Sequence, residues 1–353
     1  VDATTAAAHT AGDAATNGEQ IRQGQRVKLF LGYAGLAQAQ FMSFLQWDVT
    51  GRRASNSGLT WQVTCQDMQR LLDKTVFLDW TPEKPGRSKT DLISMMLAFI
   101  LSTGTGQNKD PAGTQYDVLG EDDALGIPWQ AVDIAAAEAL RTSDFSTTTL
   151  DISVTGPTQG KAFLEEQFLK AGGMYTFVNQ SGVYSFKKYR AALAPASVTA
   201  ILDETDIIDW QGPEDGPIIN EFVAEYDFDL PSKPNDYGIR VRYLANDSIK
   251  AFGRRQPFVI SSQALKTASG GAAIVDRLAL DVGRRFATSL PVQVLRVTVP
   301  YRRHTLDIGD LVKLRHTQIP NPVNGRRSVY DAVFEIIDMT PQHGAVQERP
   351  EEL

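Results

Sequence analysis

Along Thr60-Trp61-Gln62-Val63-Thr64-Cys65, polar and apolar residues alternate at period two. That spacing half-buries a strand and turns Trp61, Val63 and Cys65 inward. Two apolar runs precede it: Val27 to Tyr33 reads as a strand ended by Gly35, and Phe41 to Thr50 as a second. Asp67 then stands where it can cap a short helix with Met68, Leu71 and Leu72 on one face. Together these pieces predict a compact β unit with one helix.

From Pro82 to about Ala196 the period changes. The spacing predicts a helix over Thr90 to Leu101 with Thr90 as its cap, and an Ala-rich helix over Trp129 to Leu140. Phe163, Leu164, Phe168 and Ala171 mark a third helix, stopped by Gly172-Gly173. A hairpin follows, Met174 to Val178 and Val183 to Tyr189 around Asn179-Gln180-Ser181-Gly182, whose aromatics Tyr175, Phe177, Tyr184 and Phe186 can pair across the strands. The loop Thr103 to Asp122 is expected to be the most mobile part of this helical insert.

Strands return near Ile218. Ile219 to Tyr226 and Ile239 to Tyr243 read as a hairpin with a longer loop through Pro231, Pro234, Asn235 and Gly238. Ile274, Leu278, Val282 and Phe286 recur every four residues and give the helix Gly271 to Thr288 one buried stripe. Val292 to Val299 is a hydrophobic strand. A hairpin from Tyr301 to His316 is expected to turn at Ile308-Gly309-Asp310, and Val329 to Met339 to close the unit. No internal repeat of fixed short period is present.

Length and composition narrow the class. At roughly 150 residues per domain, 353 residues predict two or three domains. The longest greasy stretch, Leu92 to Leu101, contains Ser94 and falls well short of the roughly 18 apolar residues of a membrane span. A soluble chain with no integral membrane segment is expected, with mean hydropathy −0.22. No basic leader precedes an apolar core, which argues against a retained secretory signal. The one cysteine, Cys65, excludes an intrachain disulfide and a four-thiolate zinc site, and fits synthesis in a reducing cytosol. Net charge is −7 and the basic residues come mostly as isolated pairs, such as Arg52-Arg53 and Arg284-Arg285. Tight nucleic-acid binding is disfavoured, whereas an acidic surface past which DNA slides is not.

Candidate chemistry is sparse. No Gly-x-Ser-x-Gly presents a nucleophile, and Cys65 on an inward strand face reads as core. His304 and His316 could share a face of their hairpin, yet no His-x-x-x-His or cysteine partner supports a metal, and polar strand histidines explain them. Glu165-Glu166 and the cluster Asp203, Glu204, Asp206 and Asp209 could supply hydrolytic carboxylates, but they equally suit a solvated helix and an acidic loop. No phosphate-cradling glycine motif occurs. Arg277, Arg284 and Arg285 cluster toward the end of their helix, where cations favour the dipole. Neither a catalytic residue nor a cofactor is expected.

The C-terminal order of segments carries a resemblance: Asp307-Ile308-Gly309-Asp310-Leu311-Val312-Lys313-Leu314, a loop through Ile319-Pro320 to Asn324-Gly325, then Val333-Phe334-Glu335-Ile336-Ile337. It resembles the last barrel of tail-tip or baseplate hub proteins of tailed bacteriophages. Ile207-Ile208-Asp209-Trp210 leading to Ile218-Ile219-Asn220 and Tyr226-Asp227 is similar to that family's entry into its second barrel. Gly24-Gln25-Arg26-Val27 through Tyr33, with Thr64-Cys65-Gln66-Asp67, resembles its first.

The resemblance implies a strand-rich α+β fold in which two β-barrel-like domains, 24–81 and 211–345, flank a helix-containing α+β insert, 82–210. Residues 1–23 would be a flexible arm or the remnant of a missing N-terminal segment, and 346–353 a tail. It implies a non-enzymatic structural hub in the virion tail, assembled in the host cytoplasm. As a homotrimeric ring it would adapt a sixfold tail tube to a threefold tip around the DNA exit channel. The implied partners are a tail tube or distal tail protein above, a tip fibre or spike below, and a tape-measure protein, with DNA passing unbound. Arg284, Arg285, Pro320, Asn324 and Arg326 are the candidate assembly contacts. The competing readings are a tail-associated peptidoglycan hydrolase and a carbohydrate or receptor-binding module. Exposed Trp47, Trp80 and Trp129 would favour the latter.

Overall fold

The first three strands form where the two apolar runs and the alternating segment predict them. β1 (Arg26–Leu31) and β3 (Trp61–Gln66) flank β2 (Met42–Ala54) in an antiparallel sheet. Arg26 lies opposite Asp48 and Ala54 opposite Trp61, and Thr64 is exposed. The computed structural model describes residues 26–31, 42–54, 61–66, 72–80, 90–101, 125–146, 149–152, 154–179, 181–189, 197–230, 232–288, 292–300, 303, 305–321 and 325–340. The expected helix after Asp67, apart from the buried Leu72, and the loop Thr103 to Asp122 lie outside them, as do the surroundings of the Cys65, Trp47 and Trp80 side chains. Two compact units result. The first comprises Val1–Lys188, Ala224–Val241 and Val259–Asp276; the second comprises Tyr189–Val223, Arg242–Phe258 and Arg277–Leu353.

In the first unit, β4 (Thr75–Trp80) precedes β5 (Thr90–Asp91), which leads straight into α1 (Leu92–Leu101). Nine of the ten α1 residues are buried, as a helix apolar on every side requires. Its cap is Asp91, whose Oδ1 accepts the Ser94 N–H at 2.9 Å. Thr90, the expected cap, is held in β5 opposite Leu150. The expected helix over Trp129 to Leu140 is interrupted. A single 3₁₀ turn, Trp129–Ala131, is followed by Val132 bridging to Tyr184, and only then does α2 (Ile134–Leu140) begin, with Asp133 accepting from the Ala136 N–H at 3.1 Å. An aspartate that can cap the helix and bond to a neighbouring strand restarts the helix at itself.

β6 (Thr149–Leu150) pairs with β5, and β7 (Val154–Gln159) with β4. α3 starts at Gly160–Phe163, widens to a π-helical turn over Leu164–Leu169 and ends at Lys170–Gly172. At Gly160 a Cβ would meet the Leu72 and Lys74 carbonyls at 2.8 and 2.9 Å, so only glycine fits there. Gly173 closes α3 at φ +62°, the left-handed stop that Gly172-Gly173 announces. Phe99, Phe163 and Phe168 form an aromatic cluster with centroids 5.0, 6.0 and 5.7 Å apart. β8 (Met174–Val178) and β9 (Tyr184–Lys188) form the expected hairpin, with aromatic pairing along each strand. The register sets Tyr175 and Phe177 opposite Lys187 and Ser185, and puts Tyr184 and Phe186 on the other face. The rings therefore meet within strands, at 6.2 Å for Tyr175–Phe177 and 5.4 Å for Tyr184–Phe186.

The second unit contains β10 (Val198–Asp203) and β11 (Asp209–Asp215). β12 (Glu221–Leu230), β13 (Lys233–Leu244) and, after α4 (Asn246–Phe252), β14 (Pro257–Ser261) form a sheet in the order β13-β12-β14 whose residues belong to both units. Pro234, Asn235 and Gly238 lie inside β13, where a loop was expected. Asp229 and Asn235 adopt φ +60° and +57°, and the Asp229 carboxylate accepts the Asn235 N–H at 2.9 Å, so side-chain bonding absorbs the irregularity.

α5 (Gly271–Phe286) buries Ile274, Val275, Leu278 and Val282. β15 (Gln293–Thr298) pairs with β11. β16 (Leu311–Pro320) runs parallel to β10 and antiparallel to β17 (Arg327–Glu335). The Ile308-Gly309-Asp310 turn exists, with Gly309 at φ +80°. Among the described residues no strand precedes it to make the expected hairpin: the Gly309 N–H donates to the Ile336 carbonyl at 2.6 Å and the Ile336 N–H to that of Asp310 at 3.0 Å, which sews the turn to the segment after β17. Leu202, Ile207, Leu306, Val312, Leu314, Ile319 and Val329 form one core, with Trp210, Leu295, Val297 and Phe334 packed against it. Both sheets of this unit, β10-β16-β17 and β11-β15, thus share a hydrophobic centre. The fold is mixed α+β and strand-rich, and among the described residues no sheet closes into a barrel.

Candidate functional site

Each carboxylate of the β10–β11 turn except Asp209 has a defined bonding role. Asp203 Oδ1 accepts the Thr205 hydroxyl at 2.7 Å and its N–H at 2.8 Å. Glu204 Oε1 reaches across to β16, accepting the Thr317 hydroxyl at 2.5 Å and N–H at 2.9 Å. These bonds favour the ionised forms, so both pKa values sit below the ordinary range, the Thr205 hydroxyl acting most on Asp203 and the Thr317 hydroxyl on Glu204. Asp206 is buried and grips Arg303, with Oδ1 3.0 Å from Nε and Oδ2 2.5 Å from Nη2. A glycosidase acid needs a raised pKa; Asp203 and Glu204 shift the other way. Glu165 and Glu166 are exposed on α3.

Of the histidines, His316 packs its ring 6.4 Å from Trp210, and its Nδ1 accepts the Gln318 N–H at 3.1 Å. His9, His304 and His343 lie outside the described residues. Among the described residues no three His, Cys, Asp or Glu side chains gather as a metal site, and no helix is long and apolar enough to cross a membrane. Trp129, one of the tryptophans a sugar binder would display, is half-buried.

The expected assembly residues fall in different settings. Arg284 is exposed on α5. Arg285 turns inward, its guanidinium 2.6 Å from the buried Glu335 carboxylate and stacked 5.1 Å over the Phe286 ring. That close approach is an ion pair without hydrogen-bond geometry. Nearby Tyr189 has its pKa raised chiefly by burial. Pro320 ends β16 opposite Arg327, Arg326 is exposed with its carbonyl accepting the Asn321 N–H at 2.7 Å, and Asn324 lies outside the described residues.

Exposed apolar side chains mark where another surface could sit. Ile208 is 68% exposed between the acidic residues of the β10–β11 turn. Within the second unit, an open groove of about 180 Å³ runs between α5 and the strands before α4, lined by Phe222, Tyr243, Leu244, Ala279, Gly283 and Ala287 among others. The Phe222 and Tyr243 rings lie 6.0 Å apart, and beside them Glu221 is tied to Arg242 at 2.5 Å. Ala279, Gly283 and Ala287 recur every four residues, so α5 presents small side chains and leaves the groove open. The local sequence carried a signal for Ile208: the Ile207-Ile208 pair sits inside an acidic run that belongs at the surface, where one of two adjacent apolar side chains is left outward. The groove had no such signal, because its walls come from segments far apart in the chain.

The chain is similar to solved tail proteins. One, from Neisseria meningitidis MC58, is 12% identical with TM-score 0.43 over 89% of this chain and 77% of its own. Another, the 43 kDa tail protein of prophage MuSo2 from Shewanella oneidensis, is 16% identical with TM-score 0.39 over 90% of this chain and 81% of its own. No protein-family model matches, and no curated protein does.

Proposed function

We propose that this chain is a structural, non-catalytic hub at the distal end of a bacteriophage tail. Three copies form a ring that adapts the sixfold tail tube to a threefold tip and surrounds the DNA exit channel. The observation that carries the reading is the C-terminal strand arrangement. The segments Asp307 to Leu314 and Val333 to Ile337, on which the family resemblance rests, are adjacent in space, and their strands share one core with β10, β11 and β15. In this reading 24–81 and 211–345 are the barrel-like parts and 82–210 the insert between them. A tail tube or distal tail protein lies above, a fibre or spike below, a tape-measure protein can thread the ring, and an acidic chain lets DNA pass without gripping it.

The carboxylate chemistry of the second unit supports a structural role, since Asp203, Glu204 and Asp206 hold strands and turns together. The test is the mass and symmetry of the native particle, by light scattering and electron-microscope class averages. Threefold rings with a central channel, stacked on a sixfold tube, are the expected result. An isolated monomer that associates with no tail protein overturns the proposal and directs attention to hydrolase or glycan-binding assays.

A further inference from the structure

The second unit carries two surfaces of opposite character. The segments that build or border the groove, 219–222, 242–258 and 277–288, hold seven Lys and Arg against three Asp and Glu, in a chain whose net charge is −7; Arg242 and Arg285 are paired with Glu221 and Glu335. Arg254, Arg255 and Arg284 are exposed. Arg254 lies next to the groove wall, its carbonyl accepting the Asn220 Nδ2–H at 3.1 Å. Arg284 follows Gly283 on α5, and Leu280 beside it is 50% exposed, extending the apolar surface outward. The result is an apolar trough with a cationic border.

The stretch Leu202 to Ile218 has the opposite make-up: six Asp and Glu and no Lys or Arg. Asp203, Glu204 and Asp209 are exposed in the turn from which Ile208 projects, with Arg303 held against Asp206 at its side, and Glu214 and Asp215 are exposed at the far end of β11, opposite Val294 and Gln293. The neighbour of Ile208, Ile207, is anchored in the core. The Ile208 N–H is fixed to the Thr298 carbonyl at 2.9 Å, so the projecting side chain stands on a firm base. A knob beside the carboxylates of the acidic turn and an apolar groove bordered by arginines complement each other in shape and charge. Within one chain both stay exposed, so neither fills the other.

We propose that a second copy of this chain occupies the groove, its Ile208 inserting between α5 and the Tyr243–Leu244 wall while Asp209 and the exposed carboxylates of the β10–β11 turn face Arg254, Arg255 and Arg284. Because the two patches differ, the contact is head-to-tail, and successive copies generate a ring if the rotation closes and an open filament if it does not. This deepens the ring reading given above by naming the subunit contact. About 180 Å³ equals the liquid-volume share of roughly six waters, room enough for a four-carbon side chain.

The test uses the full chain with two variants, checked for fold by thermal unfolding and followed by sedimentation velocity. Ile208→Arg removes the knob. Gly283→Phe fills the groove, where a Cβ meets nothing within 4 Å. Each variant alone is expected to assemble roughly tenfold more weakly or worse, as for a buried anchor. Mixed together they should give a one-to-one dimer, because one intact knob and one intact groove remain. Failure of the mixture to dimerise, or wild-type assembly by both variants, overturns the contact. Threefold rings that persist in both variants would sink this contact and leave the ring reading standing. Open chains that depend on Ile208 but never close threefold would do the reverse, and a wild-type chain that stays monomeric sinks both.

Discussion

Asp206 illustrates how a single buried charge is tolerated. Its carboxylate is only 3% exposed, and taking it out of water is costly unless a partner satisfies it. Arg303 does so through two nitrogens and also donates Nη2 to the Ile201 carbonyl at 3.1 Å, so one guanidinium holds both the turn and the edge of β10. Removing one member of a buried pair costs about 3 to 5 kcal/mol. Arg303 is itself 33% exposed, so water can approach, and Arg303→Met is expected to lose about 3 kcal/mol, at the low end of that range, by urea denaturation. The double variant Arg303→Met with Asp206→Leu should recover part of the loss, since no unpaired charge remains; a loss that is unchanged would count against the pair. Glu204 gives a pH-dependent counterpart. Its pKa is lowered in the folded chain, so its contribution is present above the unfolded value and disappears as pH falls through the folded one. Thr317→Val removes the hydroxyl donor and should raise the Glu204 pKa toward its ordinary value in a carboxylate NMR titration, whereas an unmoved titration would show that the hydroxyl is not the cause.

Elements made of one kind of pattern were legible before the fold was known, and elements made by long-range choice were not. α1 is apolar on nearly every side, which only a central position tolerates, and the structure buries it against Phe163 and Phe168. Phe99→Ala there removes a ring with no exposure from a cluster of three and should cost about 3 to 5 kcal/mol in chemical denaturation; a loss below 1 kcal/mol would mean that the cluster collapses to fill the space. The α3 stop, the β8–β9 hairpin and the stripe on α5 were likewise written in local spacing. By contrast, the break between Trp129–Ala131 and α2 arises because Asp133 serves a distant hairpin too, its Oδ2 accepting the Ser185 hydroxyl at 2.9 Å. No 3.6-residue count contains Ser185. The pairing of β16 departs from the expected hairpin for a similar reason: a strand beginning after Gly309-Asp310 can pair back or forward with equal local propensity, and the choice of β17 is made by the shared core. Pro and Asn inside β13 read as a loop because the Asp229 bond that replaces a ladder hydrogen bond belongs to another strand. The candidate site divided along the same line, with the acidic turn visible as a charge run and the groove invisible because segments from Ile219 to Ala287 converge to form it.

At the scale of the whole molecule, chain connectivity and charge distribution have separate consequences. Each compact unit is assembled from three stretches of chain, so no single cut isolates either one. A fragment ending at Lys188 would lack Val259–Asp276, and with it the Gln263 N–H that bonds the buried Gln167 at 2.8 Å and the Ala264 carbonyl that accepts the Asp151 N–H at 3.0 Å. Such a fragment is expected to unfold without a cooperative transition in circular dichroism, and a sharp two-state melt would show that those later stretches are dispensable. The charge distribution governs association rather than folding. A molecule of net charge −7 repels its own copies at long range, yet the segments around the groove are basic and the β10–β11 region is acidic. Head-to-tail approach therefore brings opposite fields together, while any approach pairing two acidic regions is opposed. Salt separates the two contributions to such a contact. Between about 0.05 and 0.5 M the screening length contracts from roughly 14 Å to about 4 Å, which weakens arginine–carboxylate attraction across a solvated rim and leaves apolar insertion of Ile208 nearly untouched. Assembly followed by light scattering should therefore weaken over that range, chiefly through slower association, and Asp209→Asn should flatten the salt dependence while Ile208→Ala lowers affinity at every ionic strength. Assembly that strengthens with salt would point to an interface dominated by apolar burial or by like-charge repulsion, with the arginine border playing no part in it.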